Sequence, residues 1–260
     1  MGGISVSTRQ FDALTVHTFD TADAMAQAAA REAHGYLQRV LKEHGAARII
    51  FASAASQVRF LEILTALPEL AWSRVTLFHM DEYLGVTDEH SASFGRFLRE
   101  HVVVKVRPAA CHYLRGDALE PIAECERYGA LLGKAPVDLC CLGIGENGHV
   151  AFNDPPVANF EDPRTVKLVK LDEACRLQQV GEGAFPSFEA VPQYALTLTV
   201  PALCAARRMI CVVPDTRKAR AVHDALLGPI QVQCPASILR RQAHAVLYLD
   251  AAAAARLGEP

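Results

Sequence analysis

The stretch GIGENGHVAFNDP, residues 143 to 155, combines a flexible backbone with side chains that can transfer protons. His149 follows a glycine, and Asp154 lies a few positions further on. A histidine in a flexible loop, with a carboxylate available to orient its ring, is a common arrangement for general acid and base catalysis. The pattern predicts catalytic roles for His149 and Asp154, with Glu146 and Asn147 as further candidates. The structural alternative is a core histidine that is satisfied by a backbone carbonyl.

The glycines of this stretch also satisfy the spacing G-x-G-x-x-G, which is typical of dinucleotide-binding loops. Such a loop needs a helix to begin within it, so that the first amides of the helix face the pyrophosphate. Residues 153 to 156 read NDPP, which leaves little room for a helix, and no strand ending in an acidic residue follows. We therefore expect no nucleotide. Gly143 and Gly145 would instead allow a tight loop, with Gly148 as a candidate for backbone contact with a substrate.

A second group of ionisable residues occurs in FHMDEYLGVTDEH, residues 78 to 90. Asp81 and Glu82 directly follow an apolar strand, where partial desolvation would raise the pKa of a carboxyl group and make it a usable base. A divalent metal site that includes His79 is the alternative. The pattern favours catalysis over metal binding for Asp81, and Glu82 is a candidate for substrate contact. Residues 88 to 90 are more typical of a solvated helix entry.

Two further segments could hold an anion. Ser53, Ala54, Ala55 and Ser56 end a predicted strand and open a helix, so their amides and hydroxyls could bind a phosphate. An ordinary serine N-cap explains them equally well. Residues 217 and 218, Arg and Lys, follow another strand at a helix start, where the helix dipole disfavours cations. An anionic ligand would explain Lys218, although a solvated helix end is an open alternative.

The positions of these residues follow from a regular alternation of strands and helices. Near-continuous apolar runs predict strands that are buried on both faces of a parallel sheet, at 14 to 19, 47 to 53, 74 to 80, 137 to 144, 194 to 200, 207 to 213 and 244 to 250. Amphipathic patterns predict helices at 21 to 44, 56 to 66, 93 to 103, 120 to 133 and 217 to 227. The alternation predicts an α/β fold with a doubly wound, mostly parallel sheet.

We expect residues 1 to 260 to form one domain. Residues 153 to 193 differ from the rest, since they are polar, rich in proline and without strand patterning. A long irregular insert in a compact domain is often a lid or a binding loop. Ligands of open parallel sheets gather beyond the carboxyl ends of the strands, which is where all the candidate residues above are expected to lie.

Composition narrows the functional classes. The formal charge of −3 gives no general attraction for nucleic acid or an anionic membrane, so an anionic substrate would have to be held by local groups. The eight cysteines show no C-x-x-C spacing and fall partly within apolar runs, which is typical of reduced thiols in the cytoplasm. Neither a signal sequence nor a membrane-spanning run is apparent. The oligomeric state is left open, and a homo-oligomer is compatible with the sequence.

Four segments together closely resemble the glucosamine-6-phosphate deaminase family: FHMDEYLG, LGIGENGHVAFNDP, VPQYALTLTVPAL, and RKARAVHDALLGP followed by CPASILR. The resemblance is collinear over most of the chain, and the related 6-phosphogluconolactonases look different after the histidine and at MDEY. It implies a modified Rossmann-like sheet and an enzyme that works without metal or nucleotide cofactor. The implied reaction is aldose-to-ketose isomerisation with loss of ammonia, from glucosamine 6-phosphate or a close analogue to fructose 6-phosphate.

The resemblance also implies roles for individual residues. Asp81 would take the proton from C2 of the open-chain sugar and return it at C1, while His149 opens the pyranose ring. Asp154 takes the place of a family glutamate that assists the histidine. Lys218 and the segment from Ser53 to Ser56 match phosphate-binding positions.

Three departures from the family pattern affect these roles. The aspartate two residues before the histidine is here Asn147, so either Glu146 substitutes for it or ring opening is tuned differently. Two glycines of the phosphate loop are Ala54 and Ala55, which do not readily adopt positive φ. Where the family has a phosphate-binding arginine, this chain has Gly181 or its neighbours, with Arg176 out of register.

Three alternatives remain at this point. The first is a lactone hydrolase of the 6-phosphogluconolactonase type, in which His149 activates water. The second is a protein that binds a sugar phosphate without turnover, although such regulators usually carry a basic DNA-binding module, which is not apparent here. The third is a metal-dependent hydrolase that uses His79, Asp81 and His149.

Overall fold

The computed structural model describes residues 6 to 258, whose strands form two sheets. The strands of the large sheet are β1 (Val6–Phe11), β2 (Leu14–Phe19), β3 (Ala47–Phe51), β4 (Val75–His79), β6 (Ala110–His112), β7 (Leu139–Leu142), β10 (Arg208–Val213) and β11 (Ala245–Asp250). Those of the small sheet are β5 (Asp81–Tyr83), β8 (Val166–Lys170) and β9 (Tyr194–Leu198). The large sheet has the order β1-β2-β11-β10-β7-β3-β4-β6 and is parallel except for the β1–β2 hairpin. The predicted fold class is therefore confirmed.

Helices connect the strands. They are α1 (Ala22–His44), α2 (Val58–Ala66), α3 (Phe94–Leu98), α4 (Val104–Val106), α5 (Pro121–Leu132), α6 (Glu173–Gly181), α7 (Val200–Cys204) and α8 (Ala219–Leu227), with a π-helical turn between α3 and α4. Helix α1 is capped before its start by Thr21, whose hydroxyl accepts the Ala24 amide, and after its end by Gly45, whose φ of 75° suits glycine. Within residues 6 to 258, every helix is too short or too polar to cross a lipid bilayer.

Apolar layers lie on both faces of the large sheet. In β3, Ile49 and Phe51 contribute to the layer that includes α1 and α2, whereas Ile50 contributes to the layer with α5 and α8. In β4, Leu77 contributes to the layer with α1 and α2, and Phe78 contributes to the layer with α5 and α8. Alternate residues of a strand point to opposite faces, so a strand covered on both sides must be apolar throughout. This is the physical reason why these strands appear as continuous apolar runs in the sequence.

The small sheet corrects two expectations. The run at 194 to 200 is not a strand of the parallel sheet, because β9 pairs antiparallel with β5 and with β8. The insert from 153 to 193 is not wholly irregular, since it contains β8 and the helix α6. Residues Val169, Cys175 and Phe185 of this insert pack with Tyr83 of β5 in a third apolar cluster. The insert is therefore attached to the strand that begins with Asp81.

The parallel strands place their carboxyl ends along one edge of the large sheet. Four neighbouring strands, β10, β7, β3 and β4, are followed by the segments that carry Lys218, His149, Ser53 and Asp81 respectively. The order of the strands, which the sequence did not give, brings these four segments together.

Candidate active site

A cavity of about 180 Å³ lies at this edge of the sheet. Among the predicted residues, those that line it are Asp81, His149, Lys218, Ser53, Ala54, Ala55 and Ser56. Further lining comes from the loop before α3, from Phe94 at the start of α3, and from α6 and the residues after it. The acid and base candidates and the anion-binding candidates therefore share one site.

Asp81 presents a desolvated carboxyl group to the cavity. It is the first residue of β5, where it pairs with Thr197 of β9, and it is 6% exposed. Burial raises the pKa of Asp81 well above its ordinary value, and the negative charge of Glu82 raises it further. A carboxylate with a raised pKa binds a proton more strongly, which suits it to remove a proton from carbon next to a carbonyl or imine.

Glu82 does not reach this cavity, contrary to the predicted substrate contact. Successive residues of a strand point to opposite sides, and the Glu82 side chain turns towards the start of α3. Its carboxylate accepts hydrogen bonds from the Ser93 hydroxyl at 2.8 Å and the Gly95 amide at 2.9 Å. Glu82 thereby holds the N-terminus of α3 against β5, and we assign it a structural role.

His149 is held by hydrogen bonds to one of its ring nitrogens. Nδ1 lies 2.7 Å from Oδ1 of Asn147 and 3.0 Å from Oδ1 of Asp154. Because both neighbours of Nδ1 are oxygen acceptors, Nδ1 carries the hydrogen in the neutral ring, and Nε2 is left as the basic nitrogen. His149 therefore has the tautomer that can take a proton at Nε2.

Asp154 lies behind the histidine rather than in the cavity. It is fully buried, and its carboxylate also accepts the Asn147 side-chain amide at 3.1 Å and the Asp172 backbone amide at 3.1 Å. Burial by itself would raise the pKa of Asp154, but the hydrogen bonds and the charge of His149 lower it below the ordinary value. Asp154 thus remains ionised and can stabilise a positively charged imidazole.

Glu146 and Gly148 lie outside the cavity. The Glu146 carboxylate lines a neighbouring depression, with an Arg217 guanidinium nitrogen at 3.9 Å. Asp154, not Glu146, is therefore the carboxylate that contacts the ring of His149. Gly148 has a φ of 84°, and a Cβ there would come within 2.8 Å of the sulfur of Cys234, so this glycine supports loop packing rather than substrate contact.

Gly145 is required beneath the ring of His149. A Cβ added at Gly145 would lie 2.2 Å from Nε2 of His149, so Gly145→Ala must displace the ring. We expect kcat to fall by about 10²-fold or more, since small displacements of a catalytic group have effects of this size. Steady-state kinetics would check this, with Gly35→Ala in α1 as the control, because a Cβ at Gly35 meets nothing closer than 3.9 Å. Unchanged kcat in Gly145→Ala would contradict the assigned ring position.

The segment Ser53–Ser56 uses its hydroxyls in internal contacts. Ser53 donates to the backbone carbonyl of Phe94 at 3.2 Å, and the Ser56 hydroxyl accepts from the Gln57 side chain at 3.3 Å. Ala54 has a φ of −147°, which is ordinary extended backbone, so replacement of glycine by alanine causes no strain here. The amides of Ala55 and Ser56 open a 3₁₀ turn that continues into α2, and amides in such positions lack partners within the helix.

The two basic residues after β10 have different surroundings. Lys218 lines the cavity and is 5% exposed, and burial lowers its pKa, an effect that Glu182 and Glu146 oppose. Arg217 is outside the cavity, where its guanidinium donates to Asp215 at 2.9 Å. Lys218 is therefore the basic residue that can bind an anionic ligand in the cavity.

The sequence interpretation missed Gln178, Gln179 and Glu182, which line the cavity from α6 and its C-terminus. Arg176 points away, because its guanidinium donates to the carbonyls of Phe188 at 2.7 Å and Val191 at 2.9 Å. A helix signal was present, since Asp172 precedes α6, Gly181 is its last residue and Gly183 follows it. Without the sheet order, this helix could not be placed at the cavity.

The metal hypothesis finds no support at His79. This side chain is fully buried, and its Nε2 accepts the Leu114 amide at 2.8 Å. Within residues 6 to 258, the donor atoms of His149, Asp154 and Cys175 lie within 4.8 Å of one another. Burial, followed by the charges of Asp154 and Asp81, raises the pKa of the Cys175 thiol well above its ordinary value. Within this group, Nδ1 of His149 is 3.0 Å from Asp154 and 2.7 Å from Asn147, so the histidine is engaged in hydrogen bonds with these two side chains.

Comparison with known sequences finds a matching family and relatives that share the name glucosamine-6-phosphate deaminase. Residues 20 to 248 match the family described as glucosamine-6-phosphate isomerases/6-phosphogluconolactonase. A glucosamine-6-phosphate deaminase of Exiguobacterium sp. is 38% identical over 187 residues, which cover 72% of each chain. A protein of the same name from Lactobacillus delbrueckii subsp. bulgaricus is 30% identical over 87% of this chain and 94% of its own.

Solved structures show the same architecture. A monomeric glucosamine-6-phosphate deaminase superposes with a TM-score of 0.84 and 28% identity, over 92% of this chain and 98% of its own. A 6-phosphogluconolactonase from Shewanella baltica has a TM-score of 0.73 and 18% identity, over 90% of this chain and 96% of its own. At 18% identity, the match to the 6-phosphogluconolactonase shows a common fold and no more.

Proposed function

Because this chain belongs to the glucosamine-6-phosphate isomerase/6-phosphogluconolactonase family, we propose that it is an amino-sugar-phosphate deaminase and isomerase. Its substrate would be glucosamine 6-phosphate or a close analogue, and its products fructose 6-phosphate and ammonia. The observation that carries the proposal is that Asp81 and His149 line one cavity, with Lys218 also among its lining residues. We also propose a cytoplasmic location, which the free state of all eight cysteines supports.

In the proposed mechanism, His149 acts first. Nε2 exchanges a proton with the C1 hydroxyl and the ring oxygen of the sugar, so that the pyranose opens to the aldehyde. Asp154 stabilises the imidazole while it is positively charged, since its carboxylate contacts Nδ1 at 3.0 Å. Asn147 accepts from the same Nδ1–H and keeps the ring in one orientation.

Asp81 would then carry out the isomerisation. Its carboxylate removes the proton from C2, which is acidified by the neighbouring carbonyl, and returns the proton at C1. The C1 oxygen takes up the proton that the substrate's ammonium group gives up, so that an enolamine forms, and protonation at C1 then leaves an iminium at C2. Water adds at C2 and ammonia leaves, which gives the ketose. The raised pKa of Asp81 favours the abstraction, since the carboxylate is a stronger base than an exposed aspartate.

Lys218 and the amides of Ala55 and Ser56 are the proposed anchors of the phosphate. A lysine ammonium provides a point charge for phosphate, and free amides at the start of a helical turn provide hydrogen bonds. Binding energy from this remote group would hold C2 of the sugar next to Asp81.

An ammonia-release assay tests the proposal directly. We expect ammonia and fructose 6-phosphate in equal amounts from glucosamine 6-phosphate, with activity that survives a strong chelator. Galactosamine 6-phosphate and 6-phosphogluconolactone should be assayed in parallel, the second by acid release. Hydrolysis of the lactone without ammonia release from any amino sugar would refute the deaminase assignment and favour the lactonase.

A further inference from the structure

The cation at the proposed phosphate end of the cavity already has an anionic neighbour. The ammonium nitrogen of Lys218 lies 3.7 Å from Oε1 of Glu182, and both side chains line the cavity. The side chains are only 6% and 14% exposed, so water screens this pair weakly. Among the described residues that line the cavity, Lys218 is the sole lysine or arginine. The local positive charge is therefore largely neutralised by the protein itself.

Glu182 is held in this position by α6. The side-chain amide of Gln178 donates to Oε1 of Glu182 at 2.8 Å, and its carbonyl accepts the backbone amide of Glu146 at 2.9 Å. The hydroxyl of Tyr83 donates to the side-chain carbonyl of Gln179 at 2.6 Å, which fixes the same helix to β5. The Glu182 carboxylate is thus linked through Gln178 to the loop after β7, and its helix is fixed through Gln179 to β5.

A fixed carboxylate beside the ammonium affects phosphate and hydroxyl groups differently. A phosphate that binds Lys218 brings nearly two negative charges close to Glu182, and the repulsion is strong at a desolvated position. A hydroxyl can accept a hydrogen bond from Lys218 and donate one to Glu182, so it satisfies both. The pair therefore disfavours a dianionic group relative to a neutral hydroxyl.

We propose that Glu182 is a specificity-determining residue, which reduces the preference of this site for phosphorylated over unphosphorylated amino sugars. The proposal rests on the proposed function, because that function places C6 of the substrate at the Lys218 end of the cavity. Glu182 makes this chain more tolerant of unphosphorylated amino sugars than it would be with Lys218 alone at this end of the cavity.

Glu182→Gln tests the proposal because it removes the charge and keeps an acceptor for Gln178. We expect kcat/KM for glucosamine 6-phosphate to rise by about fivefold or more, mainly through KM, from the loss of repulsion at a buried site. For glucosamine we expect kcat/KM to change little or to fall. The ratio of kcat/KM for glucosamine 6-phosphate to kcat/KM for glucosamine should therefore increase. An unchanged or smaller ratio would overturn the proposal.

Glu189→Gln is the matched control, because Glu189 is an exposed glutamate of the same insert and does not line the cavity. It should leave both values of kcat/KM unchanged. An increase in the ratio in this variant equal to that in Glu182→Gln would contradict a local effect of Glu182.

Binding of inorganic phosphate separates this proposal from the reaction assignment. Calorimetric titration of the whole protein should show that Glu182→Gln binds phosphate about fivefold or more tightly than the unaltered chain. Equal affinities, or no measurable binding by either protein, would overturn the proposal. If no amino sugar releases ammonia, the proposed function fails, but the phosphate titration still decides the role of Glu182.

Discussion

Asp81→Asn is expected to lower kcat for ammonia release by about 10³-fold or more, because the amide cannot accept the C2 proton. Substrate binding should persist, since the substitution changes neither Lys218 nor the amides of Ala55 and Ser56. A calorimetric titration with the reduced, open-chain amino sugar phosphate would measure binding without turnover. Near-normal kcat in this variant would refute the role proposed for Asp81.

The free energy of unfolding of Asp81→Asn, measured at several pH values, tests whether the Asp81 carboxyl group is desolvated in the folded protein. The pKa of Asp81 is raised in the folded protein, whereas in the unfolded chain it is near the ordinary 3.8. Below that ordinary value both states hold the proton, so the carboxyl contributes nothing to the pH dependence. Above it the unfolded chain loses its proton first, so the group reduces the free energy of unfolding, increasingly until the pH passes the folded pKa.

Asparagine cannot ionise, so the variant escapes this loss of stability. Denaturant titrations should show Asp81→Asn to be more stable than the unaltered protein at about pH 8, with the difference shrinking as the pH falls towards the ordinary carboxyl pKa. Asp88→Asn is the control, because Asp88 lies in the same stretch of sequence with a side chain that is 71% exposed. A stability difference that is the same at all these pH values would contradict the desolvated state of Asp81.

His149→Gln is expected to reduce kcat by about 10²- to 10³-fold, because glutamine cannot transfer the proton that opens the sugar ring. The loss should fall on kcat rather than on affinity for the reduced, open-chain amino sugar phosphate, which has no ring to open. This combination would distinguish a role in ring opening from a general disturbance of the cavity.

His44→Gln serves as the control for a histidine substitution, because His44 is exposed at the end of α1. It should leave kcat unchanged. If His149→Gln retained full kcat, the proposed ring-opening role would be wrong. If it lost affinity for the open-chain ligand as well as kcat, His149 would have to be treated as a binding residue.

The amino-acid sequence by itself was enough to select Asp81 and His149 as candidates, because local features mark them, and both line the cavity. Asp81 is a carboxyl group that directly follows an apolar strand, and His149 lies in a glycine-rich loop with Asp154 nearby. The large parallel sheet was equally predictable, since burial on both faces requires continuous apolar runs. The end of α1 at His44 was also correctly predicted, and the Gly45 that follows has the left-handed conformation that favours glycine.

The tertiary structure decided which side chains share the cavity. Glu82 and Asp81 are adjacent in sequence, but strand geometry sends the first to the cap of α3 and the second to the cavity. The short strand β5 has no strong pattern of its own, and its pairing with β9 depends on residues more than a hundred positions away. The contact between Glu182 and Lys218 depends on the same pairing, because it brings α6 to the strand ends. Local sequence determines which residues can react or bind, whereas strand order and pairing determine which of them meet.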